Sequence, residues 1–351
     1  MKMPKREGCS ARIKPGSHFD IIDKGTERNV SRTMSVVCIG GYLALTCISS
    51  GAMDWDGAEI VSGGTHVVVG GSHWVRRSNV PEDSRTLYLV STTGDGRRVI
   101  HRSTGNVNTF KAAPQGNLLA ISEYVGGPRM VILGTDGSVR DSIPGVHKYA
   151  WNPEGARIAY VTGTDSEEGL RSTGTWIYDV ATRQSQKILD VGDDVAWAEW
   201  DGNIYILAPT GAARNNGVLR FDPKSGQASE TSHKGIHFSP DGQYYYRGSG
   251  EGDPGGEVFR TAGDGPVGID FSIEELGRKS SAIAHEWLGP GQLIAYSPIP
   301  GARVDYVVDV PSGNKRRVEG LLMHVRGRSD RTWVLKETSV TEQRPEDLLD
   351  R

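Results

Sequence analysis

The stretch FSPDGQYYYRGS, residues 238–249, sets a Ser-Pro-Asp-Gly corner directly against three consecutive tyrosines. Proline pre-sets φ at the first corner position, aspartate tolerates the second, and glycine takes the left-handed conformation that closes a hairpin. Tyr244, Tyr245 and Tyr246 then read as a strand, because aromatic and β-branched side chains pack well on a pleated surface. The plan recurs in FKAAPQGNLLAISE (110–123), YAWNPEGARIAYVT (149–162), WAEWDGNIYILAP (197–209) and HEWLGPGQLIAYSP (285–298).

The turn glycines Gly116, Gly155, Gly202, Gly242 and Gly291 are separated by 39, 47, 40 and 49 residues. Gly71 lies 45 residues before the first, and Asp330 lies 39 after the last. Each unit continues into a strand–turn–strand segment such as RTLYLVSTTGDGRRVIHR, RMVILGTDGSVRDSIPG, TWIYDVATRQSQKILD or VDYVVDVPSGNKRRVEG. Four strands per unit at a period near the mid-forties predict an all-β chain. The architecture is a β-propeller of four-stranded antiparallel blades. Seven blades are preferred and six are the alternative. The last unit offers only LLMHVRG and RTWVLKETSVT, so AEIVSG (58–63) is expected to lend it a strand and close the ring.

FSPDGQYYYRGS and WNPEGARIAYVT resemble the repeat of TolB-like propellers, a WD-like group without the Trp-Asp signature. The resemblance covers residues 57–340 as architecture. It implies a periplasmic scaffold that binds a protein or an envelope component, although related blades also occur in prolyl-oligopeptidase-type enzymes.

The N-terminus has a different character. Residues 1–33 carry eight Lys/Arg against four acidic residues, and residues 33–53 carry no charge. A basic flank before an uncharged run of 21 residues is long enough to cross a bilayer as a helix. The expected organisation is a basic leader (1–33), a signal peptide or membrane anchor (34–53), a propeller (57–340) and a polar tail (341–351). The chain is therefore expected to be exported, either released into the periplasm or medium or held by residues 34–53. Met34 is an alternative start, and Thr46-Cys47 matches a lipoprotein box only loosely. Taking the leader's +4 from the formal −3 of the chain leaves −7 on the remainder, which disfavours nucleic acid as a partner. Cys9, Cys38 and Cys47 all lie in this N-terminal region, so the body needs no disulfide. A monomeric propeller touching membrane only through its N-terminal segment is expected.

Candidate functional residues fall on the connections between second and third strands and between blades. These segments are long and polar: 163–175, 208–217, 248–257 and 270–281. They carry Asp165, Glu167, Glu168, Glu251 and Asp253, while His147, Lys148, His237, His285 and Glu286 begin the innermost strands at the same end. Imidazole with carboxylate suggests a cation site. The offsets to the turn prolines disagree, however, so no metal and no cofactor is expected. No G-x-S-x-G elbow, P-loop or C-x-x-C is present. The sequence therefore supports a non-enzymatic binding scaffold first. The alternative is a lactonase, lyase or glycan-active enzyme using the central funnel.

Overall fold

The computed structural model describes residues 37–39, 42–44, 57–70, 85–92, 97–166, 169–210, 215–247, 256–263, 265–299, 304–318, 321–325, 328–336 and 339–343. The chain forms two units, Met1–Ala52 and Met53–Arg351. In the first, β1 (Val37–Ile39) pairs antiparallel with β2 (Tyr42–Ala44). The basic leader and the rest of the expected export segment lie outside the described residues. Among the described residues no helix is long and apolar enough to cross a membrane.

The second unit is a wheel of meanders. Blade one is β3 (Gly57–Val61), β4 (His66–Gly70), β5 (Thr86–Ser91) and β6 (Arg97–Arg102). Blade two is β7 (Asn106–Ala112), β8 (Leu118–Tyr124), β9 (Pro128–Gly134) and β10 (Val139–Pro144). Blade three is β11 (Val146–Trp151), β12 (Arg157–Ser166), β13 (Gly169–Asp179) and β14 (Gln184–Leu189). Blade four is β15 (Asp194–Trp197), β16 (Ile204–Thr210), β17 (Asn215–Asp222) and β18 (Gln227–Thr231). Blade five is β19 (His237–Phe238), β20 (Tyr244–Arg247), β21 (Glu257–Arg260) and β22 (Pro266–Val267). A separate hairpin, β23 (Ser272–Glu275) with β24 (Arg278–Ser281), precedes blade six. That blade is β25 (Ile283–Gly289), β26 (Gln292–Tyr296), β27 (Asp305–Asp309) and β28 (Lys315–Val318). A three-stranded sheet follows, β29 (Leu321–Val325), β30 (Arg328–Lys336) and β31 (Ser339–Gln343). Among the described residues six four-stranded blades are complete, where seven were preferred, and the three-stranded sheet follows them. Innermost strands neighbour one another, β29 against β3 and β3 against β7, which closes the ring.

The repeated corner is built as its chemistry requires. Gly116, Gly155, Gly202, Gly242 and Gly291 sit at φ between 67° and 73°. At Gly242 the amide donates to the Ser239 carbonyl at 2.8 Å, and Asp241 accepts from the Ser239 hydroxyl at 2.7 Å. A Cβ at Gly242 would come within 2.4 Å of the Trp200 ring, so the corner needs glycine for space as well as for φ. The three tyrosines then alternate between neighbours, as the pleat demands. Tyr244 and Tyr246 enter the cluster shared with blade six, beside Trp287, whereas Tyr245 stacks on Phe259 at 5.1 Å within its own blade. All three are buried, each stabilising the fold by on the order of 2 kcal/mol. Second and third strands elsewhere follow suit. Leu119 and Ile121 face blade one while Ala120 faces blade three.

Several expected boundaries move. AEIVSG does not complete the last blade: β3 is the innermost strand of blade one and pairs with β4. The first corner is therefore Ser62–Gly64, not Gly71, which lies outside the described residues. Asp330 lies within β30 rather than at a corner. Two of the long segments prove to be mostly strand. Residues 163–175 extend β12 and β13 to a Ser166–Gly169 pairing, and β23–β24 occupies most of 270–281. An extended hairpin satisfies its own backbone groups, whereas a loop of that length would need side chains or water.

Candidate functional site

The innermost strands surround a central cavity of about 430 Å³. Its walls come from all six complete blades. One register recurs: Glu59, Lys111, Ala150, Trp197, His237 and Glu286 all line it, and each stands five residues before the glycine that ends its own corner. Pro114, Pro240 and Pro290, with Glu199 and Asp241, extend the lining into the corners between first and second strands. The cavity thus opens at the tight-turn end. The end carrying the long connections, where function was expected, is the opposite one.

Charge concentrates at one point. Lys111 Nζ lies 3.0 Å from Glu59 Oε1 and 3.0 Å from Glu286 Oε2. The Glu59 carboxylate also accepts the Ala112 amide at 3.2 Å. Burial would pull the lysine down, but the charges of Glu286 and Glu59 outweigh it and hold Lys111 well above the ordinary lysine range. Burial pushes Glu59 up, and the nearby Glu286 charge adds to it, against the pull of Lys111. Blades one, two and six are bridged by this single cation.

Aromatic groups frame it. Trp151 donates through its indole N–H to the Lys111 carbonyl at 3.1 Å, and Trp287 donates to the His237 carbonyl at 2.8 Å. The Tyr246 hydroxyl donates to the His285 carbonyl, and Tyr149 donates to Ala120 O at 2.7 Å. These bonds run from blade to blade, so the polar atoms of the aromatic walls are spent on holding the ring together. Their apolar faces remain for the cavity.

The sequence candidates divide accordingly. His237, His285 and Glu286 line the cavity; His147 and Lys148 are not among the lining residues. His147 Nε2 instead lies 3.2 Å from the Gly163 carbonyl, on the opposite half of its strand. His237 stacks on Tyr246 at 4.7 Å, and His285 meets Tyr296 edge-on at 5.8 Å. Asp165 lies on β12 opposite Leu170. Glu167, Glu168, Glu251 and Asp253 lie outside the described residues. Among the described residues no group of three or more His, Cys, Asp or Glu is placed to hold a metal ion.

Glu59, Lys111, Glu199 and Asp241 escaped the sequence reading. The signal was present: counting back from each corner glycine, rather than from its proline, aligns the cavity-facing position in every complete blade.

No protein-family model matches the chain, and no curated protein does. Among solved structures the chain is similar to the crystal structure of TolB from Acinetobacter baumannii. That similarity has 13% identity and a TM-score of 0.45, covering 66% of this chain and 59% of that one. It is also similar to the putative TolB of Agrobacterium tumefaciens, at 14% identity and a TM-score of 0.39, covering 74% of this chain and 78% of that one. The match thus spans less than two thirds of the first of these proteins. The propeller assignment rests on the strand pairings.

Proposed function

We propose that the chain is an exported or membrane-anchored propeller, TolB-like in type, that works as a non-enzymatic scaffold. It holds a partner protein or cell-envelope component at the tight-turn mouth of its cavity. The observation that carries this reading is the ring of cavity-facing residues five before each corner glycine. It joins a rigid aromatic wall to a cation already neutralised by Glu59 and Glu286. A lysine held so far above its ordinary range gives up no proton at neutral pH, so the group is suited to positioning rather than to acting as a base. A cavity of about 430 Å³ admits a few side chains, which favours a short inserted segment over a folded domain. Export is supported by the basic leader and the uncharged run behind it.

The test is affinity capture from native envelope extract. Glu199→Lys with Asp241→Lys should reduce recovery of the partner at least ~10-fold, while Glu167→Gln with Glu168→Gln, in the sequence between β12 and β13, should not. Undiminished recovery with the mouth variant would end this reading. A reporter fused after Asp56 should reach the envelope, and its retention in the cytosol would refute export.

One observation favours a second reading. The raised Glu59 carboxyl in an open cavity has the character of a general acid, which fits a lactonase, lyase or glycan-active enzyme. Turnover of such substrates, abolished by Glu59→Gln, would establish it in place of the scaffold.

A further inference from the structure

Three blades turn from third to fourth strand through one repeated corner: DVATRQ (179–184), DPKSGQ (222–227) and DVPSGN (309–314). In each, the fifth residue donates its amide to the carbonyl of the leading aspartate, at 2.8, 2.8 and 2.7 Å. The aspartate carboxylate caps the turn from within, receiving the amide of Thr182, Lys224 or Ser312. The fifth residue is left-handed each time, with φ of 57°, 72° and 74°. Gly226 and Gly313 fill it in two blades, but blade three uses Arg183. A Cβ makes this conformation costly for any residue but glycine. Arginine therefore stands here against the local preference of the backbone.

Arg183 lines a groove of about 390 Å³ between blades two and three. Leu118, Ile132 and Val180 give it apolar lining, and Arg140 lines it together with Arg183. Among the described residues the Arg183 guanidinium has no ion-pair partner; its charge acts on the Tyr178 hydroxyl. The nearby acids are already engaged. Asp141 accepts from Tyr178 at 2.7 Å and from the Ser142 amide at 2.8 Å. Asp136 accepts the Ser138 amide at 2.9 Å and leaves Arg140 a long 3.4 Å contact. Arg98 of blade one, spent on the Thr135 and Asp136 carbonyls, adds a third positive charge.

We infer that this groove is a second binding surface, independent of the central cavity. Its occupant is an acidic partner segment that sets a carboxylate between Arg183 and Arg140 and an apolar side chain against the apolar lining. Guanidinium matches carboxylate in a forked geometry that the ammonium of lysine does not reproduce.

The experiment uses the full chain and two fluorescein-labelled probes, an alternating Glu-Leu hexapeptide and its Lys-Leu counterpart, read by anisotropy at low and high salt. The Glu-Leu probe should bind at least ~10-fold tighter than the Lys-Leu probe, and salt should weaken it. Arg183→Gly should weaken it about 10-fold while raising the melting temperature by about 1–3 °C, because the left-handed strain is relieved. Arg183→Lys should retain part of the affinity. The inference fails if Arg183→Gly stabilises the chain and leaves affinity unchanged, or if the Lys-Leu probe binds as well. Binding of inorganic phosphate as tightly as the peptide would also overturn it, by marking a site for small anions only.

Discussion

Blades one and two meet across a buried charge beside their apolar cluster, whereas blades four and five meet across tilted and edge-on aromatic rings. At the first boundary Glu123, fully buried on β8, accepts from Arg129 Nε at 2.6 Å and lies 3.0 Å from His101 Nε2 on β6. At the second, Tyr205 and Phe238 lie with ring centres 4.3 Å apart, and His233 packs against both and against Tyr245. The lesson is that a wheel of similar sheets does not need similar glue. Each boundary has only to fill its wedge and satisfy what it buries. The two solutions should then fail under different stresses.

The largest expected effect breaks the aromatic boundary. Tyr245→Ala removes the ring that packs on His233 and Phe238 at this boundary and on Phe259 within its own blade, and should cost about 4 kcal/mol in urea unfolding. A loss below about 1 kcal/mol would mean that the rings fill space without bearing load.

Next is the charged boundary. Glu123→Leu leaves Arg129 and His101 facing an apolar group and should cost about 3 kcal/mol. Acid probes the same contact. Hydrogen bonds from His101, Ser103 and Arg129 overcome the penalty of burial and hold Glu123 at about 2, below its ordinary 4.5. A depressed carboxyl stabilises fully above about 4.5, and that stability drains away as the pH falls toward 2. Wild-type unfolding free energy should therefore drop steeply in that window, and the drop should be shallower in Glu123→Leu. Parallel curves would show that the carboxylate is not the group that titrates.

The smallest effect sharpens the contrast at milder pH. Burial lowers His233 below its ordinary 6.5, offset in part by the charge of Asp201. A histidine kept neutral by the fold favours folding above 6.5 and works against it as the pH falls below that value. Stability should decline gently just below 6.5, and His233→Gln should flatten that decline while leaving the steeper loss below 4.5 in place. Persistence of the gentle slope in the variant would assign it elsewhere.

Corner chemistry was legible because it is local. Ser-Pro-Asp-Gly and its relatives declared a hairpin from four adjacent residues, and the strands beside them alternated or ran apolar as the pleat required. The third-to-fourth-strand segments were equally plain, and the structure puts strands where each was expected. Strand ownership was harder. Gly57–Val61 reads as well for an outer strand of the last blade as for the inner strand of the first, since both need a short apolar run. The long polar connections misled for a related reason: Gly, Ser and Thr in 163–175 suit a loop, yet cross-strand pairing carries Gly163–Ser166 and Gly169–Ser172 into a hairpin.

From the chain order alone came the meander, its period, the glycine at five of the corners and the burial of three tyrosines in a second strand, because turns and pleats depend on neighbours in sequence. Tertiary structure alone decided that Glu59, Lys111 and Glu286 meet, that the cavity opens at the tight-turn end, and that Arg183 overlooks a groove. Those outcomes depend on how inner strands from distant repeats face one another around the axis. Lys111 and Glu286 are 175 residues apart, and only closure of the ring brings a cation in one blade within reach of carboxylates in two others.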